Sequence, residues 1–403
     1  MTDSDSANLP ELEALLTRMR PPATPDEAFL RANGALDDIV GWRKNYTVPL
    51  LSGLMTDIRF QTYHQRFDWL QRLVLSKAQG RKKPKKTDLE SIVNPAFKAA
   101  DIWRLEDPVE DAFVDAVPTS RGDFLIFDGH WEHAASYTHT LIRAFESLPD
   151  GAMKRDALEA TYALLTLSSA LVARAGVERR AFVQDAPWTE IALPSTDELK
   201  RLADRVRFSA KDIVQLGIRR EALDPFILLP AHHRFISDRI AGDTPLEFHP
   251  LLSSDDGVIV AHPGTLSLAV RAGLLNTAKQ GGMASALTDA LQDEQRKFAS
   301  SSGFWPGGDL FLAAWGKHHL REAVCEFAPG RFLHVIQIPT PLDHFPARAF
   351  GQIVRMSADV SAEISRSIGS FWAFLRERED HRESATVLLL CGWGAGHSVD
   401  LEI

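Results

Sequence analysis

The sequence is poor in the residues that would announce a chemistry outright. Only two cysteines, Cys325 and Cys391, occur in 403 residues. That excludes a disulfide-stapled scaffold and a cysteine-rich zinc module. No apolar run approaches the ~18 residues that a membrane-spanning helix needs. The first residues, MTDSDSANLPELEALL, carry acid where a secretory signal carries base. There is no GxxxxGKS/T phosphate loop, no GxSxG nucleophile elbow and no HExxH zinc motif. A surplus of positive charge is missing too: 45 Lys and Arg face 54 Asp and Glu, for a net charge of −9. A surface coated throughout for nucleic acid is therefore excluded. These absences predict a soluble, cytoplasmic protein without a membrane partner or a bound cofactor.

What is present is ordinary globular composition, 45% hydrophobic and 25% charged. A chain of this length buries roughly three-quarters of the surface it exposes when unfolded. The pattern predicts an α/β protein in three regions: a helical region (1–118), a mostly helical region with one short strand (119–245), and an α/β domain with a mixed sheet (246–403). Helical periodicity marks residues 9–19, 25–46, 88–103, 107–117, 131–148 and 152–175, and Pro49 opens a long amphipathic helix to about residue 79. Asp123–Phe127 reads as a short buried strand. Ser195 and Ser209 each precede acidic residues as helix caps do. From Pro245 the texture changes. Residues 248–252 and 258–261 flank Asp255-Asp256-Gly257, a hairpin signal. Helices follow at 263–275, 283–299 and 358–378, with strands at 309–314, 322–327, 332–338, 386–391 and 399–403. The chain stops soon after the apolar strand at 386–391, so it reads equally well as a piece of a longer protein.

One block departs from the acidic balance. Lys77, Arg81, Lys82, Lys83, Lys85 and Lys86 cluster around Gly80 and Pro84. The functional reading is contact with the phosphates of nucleic acid or another anionic partner. The bland reading is a solvated, mobile loop. No aromatic residue lies between Gly80 and Lys86, so the block itself offers bases no stacking platform.

The histidines come in pairs: His130 and His133 with Glu132 between them, His232-His233, and His318-His319. The first set has metal-ligand spacing, and helix-start polarity is the commoner explanation of such a set. The glycines of Cys391-Gly392-Trp393-Gly394-Ala395-Gly396 have no room for the helix that a dinucleotide site requires, and predict a tight turn. Both cysteines fall in predicted buried strands, where a thiol packs as a small apolar group.

From residue 283 the elements read helix–strand–strand–strand–helix–strand. Over 283–391 that order resembles the core of the restriction-endonuclease-like PD-(D/E)XK superfamily. The resemblance implies a phosphodiester-hydrolysing site in which carboxylates hold Mg²⁺ and a lysine orients the attacking water. Carried over by position, Glu294 falls on the first helix, Glu322 or Glu326 on the second strand and Gln337 on the third. The lysine position is Pro339, which departs from the pattern. The implied domain is a degraded, inactive one. The resulting expectation is a non-catalytic scaffold or interaction protein with protein partners, in a bacterial defence or DNA-processing complex. Nine tryptophans suit partner interfaces. The alternatives are a Mg²⁺-dependent nuclease with a divergent site, and a metal hydrolase built on His130, Glu132 and His133.

Overall fold

Two helices stand where Pro49 suggests one. In the computed structural model, which describes residues 37–100, 113–127, 134–178, 191–231, 245–301, 321–328, 331–338 and 384–391, helix α1 runs Lys44–Leu54 and α2 runs His64–Lys77. A 3₁₀ turn, Ile58–Tyr63, separates them. Side-chain-to-backbone bonds take the chain out of the helix between them. The Thr56 hydroxyl donates to the Gly53 carbonyl (2.7 Å), and the Asp57 carboxylate accepts the Arg59 N–H (3.1 Å). Pro49 lies inside α1 rather than at its start. Its missing N–H leaves the Asn45 carbonyl without the usual helical donor, and the Arg207 guanidinium donates to that carbonyl at 3.1 Å.

The remaining elements are α3 (Lys86–Ala100), β1 (Val114–Thr119), β2 (Gly122–Phe127), α4 (Ala134–Glu146), α5 (Ala152–Ala175), α6 (Thr196–Arg205), β3 (Arg207–Ser209), α7 (Ala210–Gln215), α8 (Pro245–Phe248), β4 (Leu251–Ser254), β5 (Gly257–Val260), α9 (Leu266–Gln280), α10 (Ala284–Ser301), β6 (Arg321–Ala328), β7 (Arg331–Ile338) and β8 (Ser384–Cys391). The α/β class, the helical N-terminal region and the mixed sheet are as expected. Three further local expectations are corrected. Of the helix expected over 25–46, the described residues before α1 form a 3₁₀ turn, Asp37–Gly41, and a short extended piece. Residues 114–117 belong to a strand, because β1 and β2 form a hairpin. The run from residue 248 starts as a helical turn and becomes a strand only at Leu251. The expected elements at 9–19, 309–314, 358–378 and 399–403 lie outside the described residues.

The chain forms two compact units, one from residues 1–115, 125–130 and 167–266, the other from residues 116–124, 131–166 and 267–403. In the first, β5 is the centre of an antiparallel sheet ordered β3-β5-β4. The β4–β5 hairpin turns at Asp255-Asp256 and sets Ser254 opposite Gly257. Gly257 has φ +147, and a Cβ there would sit 2.0 Å from the Phe208 carbonyl oxygen. Ser195 caps α6, and Ser209 with Asp212 forms a capping box on α7. Helices α1 and α6 approach so closely at Gly53 that a Cβ would meet the Leu202 carbonyl at 2.4 Å.

Buried polar side chains fasten the exit of β5 to α1 and α2. Ser52 donates to the Val260 carbonyl (2.6 Å), and Gln71 to the carbonyls of Ala261 (2.6 Å) and Val48 (3.2 Å). The next residue, His262, places Nε2 2.8 Å from Asp68. Asp68 pairs with Arg72 at 2.9 Å, and Arg72 reaches Glu247 of α8 at 3.2 Å. Side-chain exposure is 3% for His262, 4% for Arg72 and 3% for Glu247, against 22% for Asp68. Burial on its own would raise the Asp68 pKa. The charge of Arg72 and the contact with His262 outweigh it and hold the carboxyl far below the usual range. The same carboxylates keep Arg72 firmly protonated against the opposing effect of burial.

In the second unit, α4 packs on α10, with Leu141, Phe145, Leu287 and Leu291 buried. The buried Lys154 ammonium closes the end of α4, accepted by the Glu146 carbonyl at 2.6 Å and by the Leu148 carbonyl. A cation at this position also suits the negative end of the helix dipole. Strands β6 and β7 pair antiparallel, and β7 and β8 pair parallel.

Two outcomes follow from these contacts. Gly257→Ala should destabilise the fold by at least about 2 kcal/mol, since it adds a strained φ to a backbone clash; urea unfolding measures it. Arg72→Met removes the cation shared by Asp68 and the buried Glu247 and should cost about 3–5 kcal/mol. Because the folded Asp68 pKa is depressed, its stabilisation is complete above the ordinary carboxylate value of about 4 and drains away as pH falls below it. Wild-type unfolding free energy should therefore fall more steeply below about pH 4 than that of Asp68→Asn.

Candidate nucleic-acid interface

The basic block joins the end of α2 to the start of α3. Lys77 is the last residue of α2 and Lys86 the first of α3, both partly exposed, while Arg81, Lys82, Lys83 and Lys85 are exposed. The block is solvent-exposed, as both readings expect, and its backbone is bonded to the preceding chain. The Gln79 and Gly80 N–H groups donate to the Val40 carbonyl (3.1 and 2.9 Å), Lys82 N–H to the Gly41 carbonyl (3.0 Å), and Arg43 N–H to the Lys82 carbonyl (2.7 Å). Trp42, 1% exposed, anchors that second strand of chain in the core, and it forms a parallel bridge with Lys82. Glycine is required at position 80, where a Cβ would lie 2.0 Å from the Gly41 carbonyl oxygen. Pro84 is buried.

Two acids of α3 temper the block. Asp88 lies 3.4 Å from Lys82, and Glu90 3.6 Å from Lys86. The Asp88 carboxylate accepts the Lys85 N–H (2.9 Å), and that bond holds its pKa below the usual range. Exposed pairs of this kind contribute little, so they leave the lysines able to exchange a carboxylate for a phosphate.

The fold adds residues that the linear block does not contain. Arg43, exposed, is the N-cap of α1. No side chain caps that helix and its first turn holds no acid, so no side-chain charge offsets its positive end there. Lys44 follows, its pKa lowered by partial burial. Tyr46, one turn on, has the Lys83 ammonium 5.4 Å from its ring centroid. Arg207 reaches the same end of α1 through the Asn45 carbonyl. Sequence reading missed Arg43, Tyr46 and Arg207 because nothing in the spacing of the block points to them. The one legible hint is Pro49, whose absent donor fixes where Arg207 attaches.

The residues suggested by the nuclease resemblance have different settings. Glu294, on α10, has a side chain 11% exposed and pairs with Arg143 (3.1 Å) and Lys297 (2.6 Å). On the β6–β7 ladder Glu322 is opposite Ile336, Glu326 opposite Phe332, and Gln337 opposite Arg321. Directly paired residues share a face and successive residues alternate. Gln337 therefore holds a position on the other sheet face from Glu322 and Glu326. His130, Glu132, His133, both other histidine pairs and the glycines after Cys391 lie outside the described residues. Among the described residues no group of three or more His, Cys, Asp and Glu side chains is arranged to hold a metal ion. The Asp68–His262 pair has the distance of a base and its orienting acid, but its imidazole is sealed in the core. Among the described residues, no helix is long and apolar enough to cross a membrane.

A family model described as "Anti-phage protein Upx-like" matches residues 30–402. No curated protein and no solved structure matches the chain. The family match takes in α1, the basic loop, the buried tie at Asp68 and the mixed sheet together, and the chain belongs to the Upx-like family of anti-phage proteins.

Proposed function

We propose that this chain serves phage defence as a non-catalytic, nucleic-acid-binding interaction protein, with the pinned basic loop as its contact. The supporting observation is that the backbone of the basic loop is bonded at Gln79, Gly80 and Lys82 to Val40, Gly41 and Arg43, and at Lys85 to Asp88. A flexible lysine run loses conformational entropy when it binds. A loop already bonded along its length presents its charges with less of that loss, and each phosphate contact releases counterions. Protein partners within a defence assembly are part of the same reading.

Binding of single- and double-stranded DNA and RNA, followed over a salt series, tests it. Replacing Lys82, Lys83 and Lys85 together by Gln should lower the slope of log affinity against log salt by about 2–3, with unchanged circular dichroism. Unchanged affinity would remove the loop as the contact. Gly80→Ala changes no charge but clashes with Gly41, and it should weaken binding severalfold; wild-type affinity in that variant would mean that charge alone, and not the pinned backbone, is what binds. The same mixtures, incubated with Mg²⁺ or Mn²⁺, should show no cleavage. Cleavage abolished by Glu322→Ala or Glu326→Ala would replace this reading with the metal-dependent nuclease.

A further inference from the structure

We infer that the interface takes single-stranded nucleic acid, with one base stacked on Tyr46 and the adjoining phosphates held by Arg43, Lys82, Lys83 and Arg207. The inference rests on the nucleic-acid reading above and narrows its ligand. The block from Gly80 to Lys86 contains no aromatic residue, but the fold brings one to it. Tyr46 is partly exposed in the first turn of α1, three residues after Arg43 and with Lys83 5.4 Å from its ring centre. A phenol ring set among exposed cations combines the two elements of a single-strand site, a stacking platform and a charged groove for the backbone. The geometry is selective for unpaired strands. Bases inside a duplex are stacked on one another and present only their edges, so none is available to cover the ring.

The cations come from two segments that meet the start of α1, the loop and β3. Lys82 is bonded through its backbone to Gly41 and Arg43, and Lys83 lies over Tyr46. From β3, Arg207 donates to the carbonyl of Asn45, the residue preceding Tyr46. A strand crossing the start of α1 would therefore meet the ring together with cations of the loop and of β3. Lys83 is exposed and long, and it can give up the ring face to a base while its ammonium moves to the phosphate of the same nucleotide.

The experiment compares oligothymidine with a duplex of equal length, by fluorescence anisotropy on the full chain. Oligothymidine should bind more tightly than the duplex. Tyr46→Ala should weaken oligothymidine binding by at least about fivefold, Tyr46→Phe should retain it, and Arg207→Gln should weaken both ligands. Equal affinity of the two ligands, or an unchanged oligothymidine affinity in Tyr46→Ala, would overturn the single-strand inference while leaving the loop as a general phosphate contact if the Lys82, Lys83 and Lys85 replacement still acts. Absence of binding by every nucleic acid would overturn both readings. Circular dichroism and the behaviour of Tyr46→Phe separate loss of the ring from loss of the fold.

Discussion

The stretch Val260–His262 is held to the helices before it by buried polar bonds, and the first unit is organised around that fastening. Ser52 of α1, and Gln71, Asp68 and Arg72 of α2, all act on it or on the adjacent α8. These contacts join parts of the chain separated by up to 208 positions. The Asp68–Arg72–Glu247 pairing adds little net stability by itself, because desolvation offsets most of the attraction. Its value lies in uniqueness. Any packing that separates α8 from α2 takes the buried Glu247 away from Arg72, at a cost of several kcal/mol. A purely apolar contact would tolerate sliding; this one does not.

That constraint reaches the interface through α2. Asp68, Gln71 and Arg72 sit in the middle of a helix whose last residue is Lys77, where the basic loop begins. At its far end the loop enters α3, and along its length it is bonded to the residues leading into α1. Helix α1 is tied in turn to β5 by Ser52 and to α6 by the close approach at Gly53. The surface that displays Arg43, Tyr46, Lys82 and Lys83 is thus carried by elements fixed from beneath. Local rigidity of this kind is what lets exposed cations act as an arranged set.

Local signals were legible in the sequence, and long-range ones were not. The capping residues Ser195 and Ser209, the helix over Ala152–Ala175, the hairpin around Asp255-Asp256 and the three strands from Arg321 to Cys391 were all readable, because each depends on residues a few positions apart. The break between α1 and α2 was not. An apolar stripe of helical period continues across Thr56 and Asp57, and only their backbone bonds end the helix. The basic block was visible as a block, but its fixing to Val40 and Gly41 and its neighbours Tyr46 and Arg207 are tertiary. His262 is not legible for the same reason: no neighbour in the sequence marks it, and Asp68 is paired with it only in space. Glu294 was legible as an acid on a helix, and what the sequence could not disclose is that two cations already occupy it.

The overall charge of −9 sharpens the meaning of the patch rather than opposing it. At physiological ionic strength the Debye length is about 8 Å. A polyanion farther away than that experiences little of either the acidic bulk or the basic loop. Near the surface, the local arrangement of charge decides. A uniformly basic protein would hold nucleic acid in many orientations, and stacking on a single tyrosine would add little selectivity among them. Net negative charge and the nucleic-acid contact proposed above are compatible because screening makes the charges within a Debye length decisive.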